Sequence, residues 1–549
     1  MFSVPDHGVG WVTVHHYPKG WDYAVVVMLF AAAAIVTGVA SRFSATTNSG
    51  LKLAATPKRP AAIVVGMLLV FLAILPARDQ PFEFADPYHE GENLSGASVL
   101  LSGGHPYKDF WLMHGVATDG GLDALVAGDP PSMVRTRRMH AFLSAAAVAL
   151  LVPIAAEVCS TWTAVVLATV LSLCGIAAGQ LPATPHFRLL PLLAAVWCAL
   201  IFIRTGKRAY LIAASAIASA GLLWSLDIGL FAVAGLWSWL ILTRRIDWRA
   251  IVVTVVTPIV LLLLTRSDIG VFFKDSFRRL PECFDAIYSL PAPPFRFTAE
   301  AARYYTPPIV YGAIAAAGFL LRRDAMLLIV FTAFFELRSA SGRYSWGHLR
   351  FSVPLLGIVI VAFAIEPLVR SREWKRLTIA ALIAIAAVPY FEVMANAKTL
   401  ANDYATYSAR LRPKPGTVRA PLPRAHDYFT YPQEAHDLGA LYEFSQSMPA
   451  GPMFDYSGEK YLYYMLARPP STRCQDIPYM SDPKLLRESL QQLERRPPVF
   501  VVVSGHEVLA NIDGVSNRER TPQVAEWIDR RYPRRITIGR YTVGLPSTP

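Results

Sequence analysis

Long apolar segments alternate with short polar ones along most of this chain. The first two run from about Trp21 to Ala40 and from about Ala61 to Pro76. Each segment is roughly 17 to 20 residues long, the length that an α-helix needs to cross a bilayer. Ten more are centred near Ala147, Val170, Ala194, Ala214, Ala234, Val256, Ala315, Ile329, Ile358 and Ile383. The pattern therefore predicts a polytopic α-helical membrane protein with about twelve spans.

Composition agrees with this pattern. Of the 549 residues, 54% are hydrophobic and 17% are charged, whereas soluble proteins carry about 25% charged residues. The net charge of +12 comes from 52 Lys and Arg against 40 Asp and Glu. Because the basic residues gather in short loops between apolar segments, this charge indicates membrane orientation rather than nucleic-acid binding.

The basic loops all fall on one side of a single threading of the chain. They are 52–59, 204–208, 244–249, 322–323 and 370–376. The positive-inside rule places them in the cytoplasm. The long polar segments then lie outside, and the chain start lacks the pattern of a cleavable signal peptide. We expect a multi-pass protein of the bacterial inner (plasma) membrane.

Polar residues and prolines dominate from Asn396 onward. Candidate strands at 453–456, 499–504 and 537–544 accompany candidate helices at 433–447, 483–494 and 523–530. Such a mixture is typical of an α/β domain. We therefore expect the chain to have three parts. An N-terminal tail with an extra transmembrane helix (1–60) precedes a transmembrane domain (61–395) that includes an outer loop (77–140). An extracytoplasmic α/β domain (396–549) follows.

Five cysteines occur, none of them in a metal-ligand spacing. Cys159, Cys174 and Cys198 lie in or beside apolar segments and are expected to fill space there. Cys283 and Cys474 both fall on the predicted outer side. They are either free thiols or a disulfide, and the sequence leaves this open because it does not show proximity.

The outer loop 77–140 carries the strongest candidates for catalysis. Asp86 and Glu90 are four residues apart, so in a helix both carboxylates share one face with His89 beside them. A general base is often a carboxylate whose pKa is raised by crowding with others. We predict Asp86, His89 and Glu90 as catalytic residues, with Asp86 as a plain helix cap as the structural alternative.

Basic residues on the outer side run against the topological bias and indicate an anionic substrate. Arg338, Arg343 and His348 lie in a short predicted outer loop. Arginine binds phosphate through paired hydrogen bonds, so these residues are predicted to bind a donor phosphate. Asp227 lies at the outer end of a span, where an ionisable residue is either functional or a helix cap.

Three motifs resemble the GT-C membrane glycosyltransferases, which include the protein O-mannosyltransferases and the aminoarabinose lipid A transferases. The motifs are Asp86-Pro87-Tyr88-His89-Glu90-Gly91, Gly104-His105-Pro106-Tyr107-Lys108-Asp109-Phe110 and His114-Gly115. The resemblance implies a GT-C-like fold, a polyprenyl-phosphate sugar as donor and an inverting transfer.

The resemblance also implies roles for particular residues. Asp86 would take the proton of the acceptor hydroxyl, and Tyr107, Asp109, His114 and Asp227 would contact substrate. Relatives begin the first motif with Asp-Glu, whereas here a proline follows Asp86. The displaced Glu90 therefore either shares the role of the base or only orients it.

Two other functions compete with a glycosyltransferase. A transporter or flippase of lipid-linked sugars would commonly show internal repeats and charges at mid-membrane, and neither is seen in this sequence. An O-antigen-type ligase or polymerase would carry its basic residues in a large late loop, whereas this chain has an acidic loop early. The sequence therefore favours a hexosyl- or pentosyltransferase that acts on an extracytoplasmic glycan, lipid or protein. No cofactor and no nucleic acid are expected, and a divalent metal is left open.

Overall fold

A computed structural model describes most of the chain, and its helices dominate the fold. The described residues are 20–44, 60–177, 185–287, 292–294, 296, 298–342, 346–506 and 514–547. The first helices are α1 (Gly20–Ser44), α2 (Pro60–Arg78), α3 (His89–Leu101), α4 (Leu122–Ala127), α5 (Met133–Ala149) and α6 (Leu151–Val158). The Ser132 hydroxyl caps α5 by accepting from the N–H of Arg135 at 3.0 Å. The polar segment after α2 therefore ends at Ser132, earlier than the expected residue 140.

The middle of the chain forms a helical bundle around one apolar core. Its helices are α7 (Trp162–Ala177), α8 (Leu190–Thr205), α9 (Arg208–Trp224), α10 (Leu226–Leu242), α11 (Trp248–Leu264), α12 (Ile269–Lys274), α13 (Leu280–Ile287), α14 (Ala299–Leu320) and α15 (Asp324–Gly342). Then follow α16 (Trp346–Phe351), α17 (Leu356–Ile360), α18 (Glu366–Arg370), α19 (Trp374–Phe391) and α20 (Val393–Arg410). Trp239 and Tyr311 are fully buried in this core.

Helices lie at all twelve positions where spans were predicted. Among the described residues, four helices are long and apolar enough to cross a membrane: Asp22–Val39, Pro60–Arg78, Met133–Val158 and His186–Thr205. Shorter apolar helices are Trp162–Gly175, Arg208–Trp224, Leu226–Leu242 and Trp248–Leu264. The mostly helical architecture is confirmed, and the number of spans stays a prediction.

The change of composition at Asn396 lies inside a helix. Helix α20 runs on to Arg410 and packs against α2. Asn396 is buried there, and its Nδ2 donates to the carbonyls of Cys174 at 2.7 Å and Phe391 at 2.8 Å. A polar face on a packed helix therefore produced the compositional boundary that we assigned to a new domain.

Beyond α20 the chain forms a mixed sheet flanked by helices. The strands are β1 (Val418–Arg419), β2 (Phe429–Thr430), β3 (Phe454–Asp455), β4 (Val501–Ser504), β5 (Arg534–Ile538) and β6 (Tyr541–Leu545). β1 pairs with β2, and the other four have the order β3-β4-β6-β5, with β3 parallel to β4 and the other pairs antiparallel. The helices are α21 (Pro432–Ser447), α22 (Leu462–Met465), α23 (Pro483–Arg495), α24 (Asn517–Arg520) and α25 (Pro522–Arg531).

One strand expected from the sequence is a hairpin instead. The segment 537–544 contains the turn between β5 and β6, with Ile538 paired to Tyr541. Gly539 adopts a φ of 54° at this turn. Two-residue hairpin turns favour glycine at such a position, because a side chain is strained there.

Cys283 and Cys474 are free thiols buried in the same apolar cluster. Burial raises the pKa of both thiols well above the ordinary value. A buried protonated thiol is a poor nucleophile, so both are inert in the folded state.

Candidate active site

The polar segment between α2 and α5, which we call the first polar segment, packs directly against the sheet region. Leu94 and Ala97 of α3 are buried in one cluster with Tyr461 of the C-terminal region. At Gly91 the two backbones come so close that a Cβ would lie 2.7 Å from the nitrogen of Tyr461. A side chain larger than hydrogen therefore cannot be accommodated at position 91 without separating α3 from the C-terminal region.

Asp86 stabilises the turn that leads into α3. Its Oδ1 accepts from the N–H groups of Tyr88 at 3.0 Å and His89 at 2.9 Å. Its Oδ2 lies 2.9 Å from Nδ1 of His89. The two side chains, Asp86 and His89, are 32% and 36% exposed. The carboxylate thus caps the turn and holds an imidazole while still facing solvent.

The pair shifts the pKa values of both partners. Burial would raise the pKa of Asp86, but the hydrogen bond and charge of His89 hold it below its ordinary value. Burial would lower the pKa of His89, but Asp86 and the charge of Glu92 raise it. The rise that crowding was expected to cause is therefore not found at Asp86, because its hydrogen bonds and the charge of His89 outweigh the effect of burial.

Glu90 points to a different partner. Its two oxygens accept from Nε and Nη2 of Arg137 at 2.7 and 2.8 Å. Arg137 also donates to the backbone carbonyls of Pro81 at 3.0 Å and Glu83 at 2.7 Å. Of the two roles left open for Glu90, this bidentate pair favours orientation of the segment over a share in proton transfer.

A cavity of about 40 Å³ lies between α3 and the C-terminal region. A water molecule needs roughly 10–15 Å³ on this measure, so the cavity holds about three. Its lining combines acidic, basic, amide and aromatic side chains: Glu92, Asp119, Asp476, Lys460, Gln475, Phe110, Trp111 and Tyr479, with Ser95, Gly96 and Met113. The two ring systems Trp111 and Tyr479 lie 4.9 Å apart.

Gln475 is the least satisfied polar side chain of this cavity. It is 8% exposed, and neither Nε2 nor Oε1 has a hydrogen-bond partner among the described residues. The indole N–H of Trp111 also lacks one within that part of the chain. An unpaired buried polar group costs about 1–3 kcal/mol. The cavity therefore offers hydrogen bonds to a polar ligand.

Lys460 ties the cavity wall together. Its Nζ lies 2.7 Å from Asp476 and 3.0 Å from Glu92, and 3.6 Å from the ring centroid of Tyr88. The Tyr88 hydroxyl donates to Asp476 at 3.2 Å. Tyr88 precedes His89 in the chain and Glu92 follows it by three residues. This buried network therefore connects the turn that carries the Asp86–His89 pair to the cavity wall, although neither residue of the pair lines the cavity.

A second carboxylate–imidazole pair lies deeper. Nδ1 of His114 is 2.9 Å from Oδ1 of Asp119. Oδ2 of Asp119 accepts from the N–H groups of Met113, His114 and Gly115 at 2.7, 2.7 and 3.3 Å. Asp119 was not predicted from the sequence, although it lies five residues after the predicted His114.

Asp227 is engaged by an arginine that sequence reasoning missed. Nη2 of Arg188 lies 2.8 and 2.7 Å from the two carboxylate oxygens of Asp227. Ser225 donates its hydroxyl to the same carboxylate at 2.9 Å. The N–H of Leu226 donates to the carbonyl of His114, which places this ion pair next to the deeper imidazole. The available signal for Arg188 was its position just before an apolar segment, on the predicted outer side.

Two other residues that were predicted to contact substrate form contacts within the first polar segment and its neighbours. Tyr107 is fully buried with its ring 5.1 Å from that of Phe272. Oδ2 of Asp109 accepts from the N–H of His105 at 2.7 Å. Neither residue lines the cavity, which the same motif reaches through Phe110 and Trp111.

Two of the three residues predicted to bind a donor phosphate, Arg338 and His348, lie on α15 and α16. The guanidinium of Arg338 stands 5.0 Å from the ring centroid of Tyr23 in α1. The carbonyl of His348 accepts from the Ser352 hydroxyl at 2.8 Å. Arg343 lies outside the described residues. The phosphate-binding role of these residues therefore stays a prediction.

No group of three or more His, Cys, Asp or Glu side chains could hold a metal ion in the part of the chain that the structure describes. The question of a divalent metal, which the sequence left open, therefore stays open.

No protein-family model matches this chain, and a comparison with curated proteins finds no match. Two similar solved structures are those of ArnT from Cupriavidus metallidurans, one bound to undecaprenyl phosphate and one in the apo state. Their TM-scores are 0.49 and 0.44, each at 12% identity, and each alignment covers 88% of this chain and 98% or 97% of the other.

Proposed function

We propose that this protein is an inverting glycosyltransferase that moves a sugar from a polyprenyl-phosphate donor to a hydroxyl group of an extracytoplasmic acceptor. The observation that carries the proposal is the cavity that Tyr88, Glu92 and Lys460 connect to the Asp86–His89 pair, on a scaffold of apolar helices. The basic loops favour a bacterial inner membrane protein with this cavity outside. In one crystal structure ArnT is bound to undecaprenyl phosphate, and the donor proposed here has a lipid carrier of that class.

Asp86 is the proposed base. Its lowered pKa keeps the carboxylate ionised at neutral pH, and only His89 binds its Oδ2 among the described residues. A carboxylate has about four lone-pair sites. The N–H groups of Tyr88 and His89 and the His89 imidazole use three of them, which leaves one for the acceptor hydroxyl. A weak base suffices if the proton leaves late, after the hydroxyl oxygen has begun to bond to the sugar carbon and has become acidic.

The transfer is a single displacement. The acceptor oxygen forms a bond to the anomeric carbon while the bond from that carbon to the phosphate oxygen breaks, and polyprenyl phosphate leaves with the electron pair. Attack from the face opposite the phosphate inverts the configuration. Because negative charge grows on the phosphate, cations must lie near it, and we propose Arg338, Arg343 and His348 for this role.

The cavity is proposed to bind sugar hydroxyl groups. Space for about three water molecules admits part of a sugar ring rather than a whole one. The Gln475 amide and the Trp111 indole would pair with hydroxyl groups, and the aromatic faces of Trp111 and Tyr479 would contact apolar C–H groups.

The test uses purified full-length protein in detergent with a panel of pentosyl and hexosyl polyprenyl phosphates and crude envelope glycans as acceptor. Release of free polyprenyl phosphate by wild type identifies the donor. The Asp86→Asn variant should release none above background. A matched control is Asp529→Asn, which removes a carboxylate that is 45% exposed and paired with Arg518 and Arg535. No release from any donor would contradict the proposal, and flipping of lipid-linked sugar in liposomes would then test transport.

A further inference from the structure

A second cavity, of about 350 Å³, lies at the opposite end of the helix bundle. Helix α8 begins beside the Arg188–Asp227 pair and ends at Thr205. Sixteen helical residues span about 24 Å, so the far end of α8 is well separated from the candidate active site. The cavity lies there, between the ends of α6 and α8, the turn from α14 to α15, and Phe363.

The carboxylates at this cavity already have partners. Glu157 lies 3.3 Å from Arg204, and Asp324 lies 2.6 Å from Arg245. Arg322 and Arg323 also line the cavity. Neither guanidinium has an ion-pair or hydrogen-bond partner among the residues described here. Two guanidinium groups without a carboxylate partner in the described part of the chain therefore line this cavity.

The remaining wall is apolar. Val158 at the end of α6, Leu200 and Ile203 on α8, and Phe363 line the same cavity. The positive-inside rule explains why arginines occur in this loop, but it does not explain why they line a cavity with apolar walls. Guanidinium groups beside apolar side chains match a ligand with a phosphate at one end and hydrocarbon at the other.

We propose that this cavity binds the phosphate ester of an anionic phospholipid. Arg322 and Arg323 bind the phosphate, and an acyl chain runs along the apolar side chains of α6 and α8. Basic pockets between membrane helices on the cytoplasmic side are known to suit anionic headgroups. This inference is independent of the glycosyltransferase proposal, because it uses none of the same residues.

The experiment measures lipid binding to full-length protein in detergent by native mass spectrometry. Phosphatidylglycerol should bind at least about tenfold more tightly than phosphatidylcholine. The double variant Arg322→Gln/Arg323→Gln should lose about tenfold in phosphatidylglycerol affinity. The control Arg208→Gln/Arg249→Gln removes the same charge from other basic loops and should bind as wild type does.

A photoactivatable phosphatidylglycerol provides a second measurement on the wild type alone, so the test does not depend on folding of the variant. The cross-linked peptide should contain residues 322–323. Equal affinity of the double variant and wild type, or equal binding of both lipids, would overturn the proposal. In a third outcome, inorganic phosphate binds as tightly as the lipid and loses the same affinity in the double variant. That result would assign the site to free phosphate and overturn the proposal of a lipid ligand.

Discussion

The two carboxylate–imidazole pairs of the first polar segment contain the same kind of hydrogen bond but differ in their surroundings. In each pair a carboxylate oxygen lies 2.9 Å from Nδ1 of a histidine. The side chains of Asp86 and His89 are 32% and 36% exposed, whereas those of Asp119 and His114 are 9% and 15% exposed. Asp119 also accepts from three consecutive backbone N–H groups.

This difference separates a group that can exchange a proton from one that fixes a loop. Asp86 keeps a free acceptor position and contact with solvent, so a ligand hydroxyl can reach it. The acceptor sites of Asp119 are all used by hydrogen bonds within the segment. Gly115, which donates one of them, packs so tightly that a Cβ would lie 3.0 Å from the carbonyl of Leu223. Sequence spacing alone does not distinguish the two pairs.

The largest effect is expected for Asp86→Asn on transfer. Removing the charge and the base should lower the single-turnover rate of polyprenyl phosphate release about 10³-fold, within the range for general base catalysis. Stability should fall by only about 1 kcal/mol, because the amide still accepts hydrogen bonds. Loss of activity below threefold would remove the distinction between the pairs.

The next effect concerns folding rather than catalysis. Asp119→Ala should lower the free energy of unfolding by about 3 kcal/mol, since three backbone donors and His114 lose a buried partner. Denaturant unfolding of the detergent-solubilised protein measures this change. His114→Gln serves as the matched control and should cost less, because the Asp119 bonds to the backbone remain. A loss equal to that of Asp86→Asn would show that burial does not separate the pairs.

Gln475→Leu sharpens the comparison from the side of the cavity. It should raise the KM for the acceptor or the donor about tenfold, as expected when hydrogen bonds to the substrate are lost. It should also stabilise the free protein by about 1 kcal/mol, because an unpaired amide is removed. Thermal unfolding and steady-state kinetics measure both quantities. A variant that loses stability instead would indicate that the amide has a structural partner.

The smallest effect is a change in pH dependence. In His89→Gln, burial of Asp86 remains while the partner that lowers its pKa is lost, so the pKa of Asp86 should rise. Transfer needs the ionised carboxylate and is lost as pH falls through that pKa. The acidic limb of the pH–rate profile should therefore move to higher pH in the variant. If transfer is lost as completely as in Asp86→Asn, His89 rather than Asp86 takes the proton.

The closeness of Asp86 and His89 could be predicted because both lie in one helical turn. The hydrophobic pattern likewise placed helices at all twelve predicted positions, since the length of an apolar segment is a local property of the sequence. Lys460, Gln475 and Asp476 were missed because they are far from α3 in sequence, and nothing local marks them. Arg188 was missed for the same reason, although its place before an apolar segment was informative.

Local sequence thus determined which segments of this protein are apolar helices, where the first polar loop begins, and which carboxylate stands one turn from an imidazole. Tertiary structure alone decided the partners: Arg137 for Glu90, Arg188 for Asp227, and the pair Asp476 and Glu92 for Lys460. Charge–charge energies depend on distance and on burial, and both are set when segments distant in sequence pack together. The partners of these carboxylates therefore follow from which segments pack together in the fold.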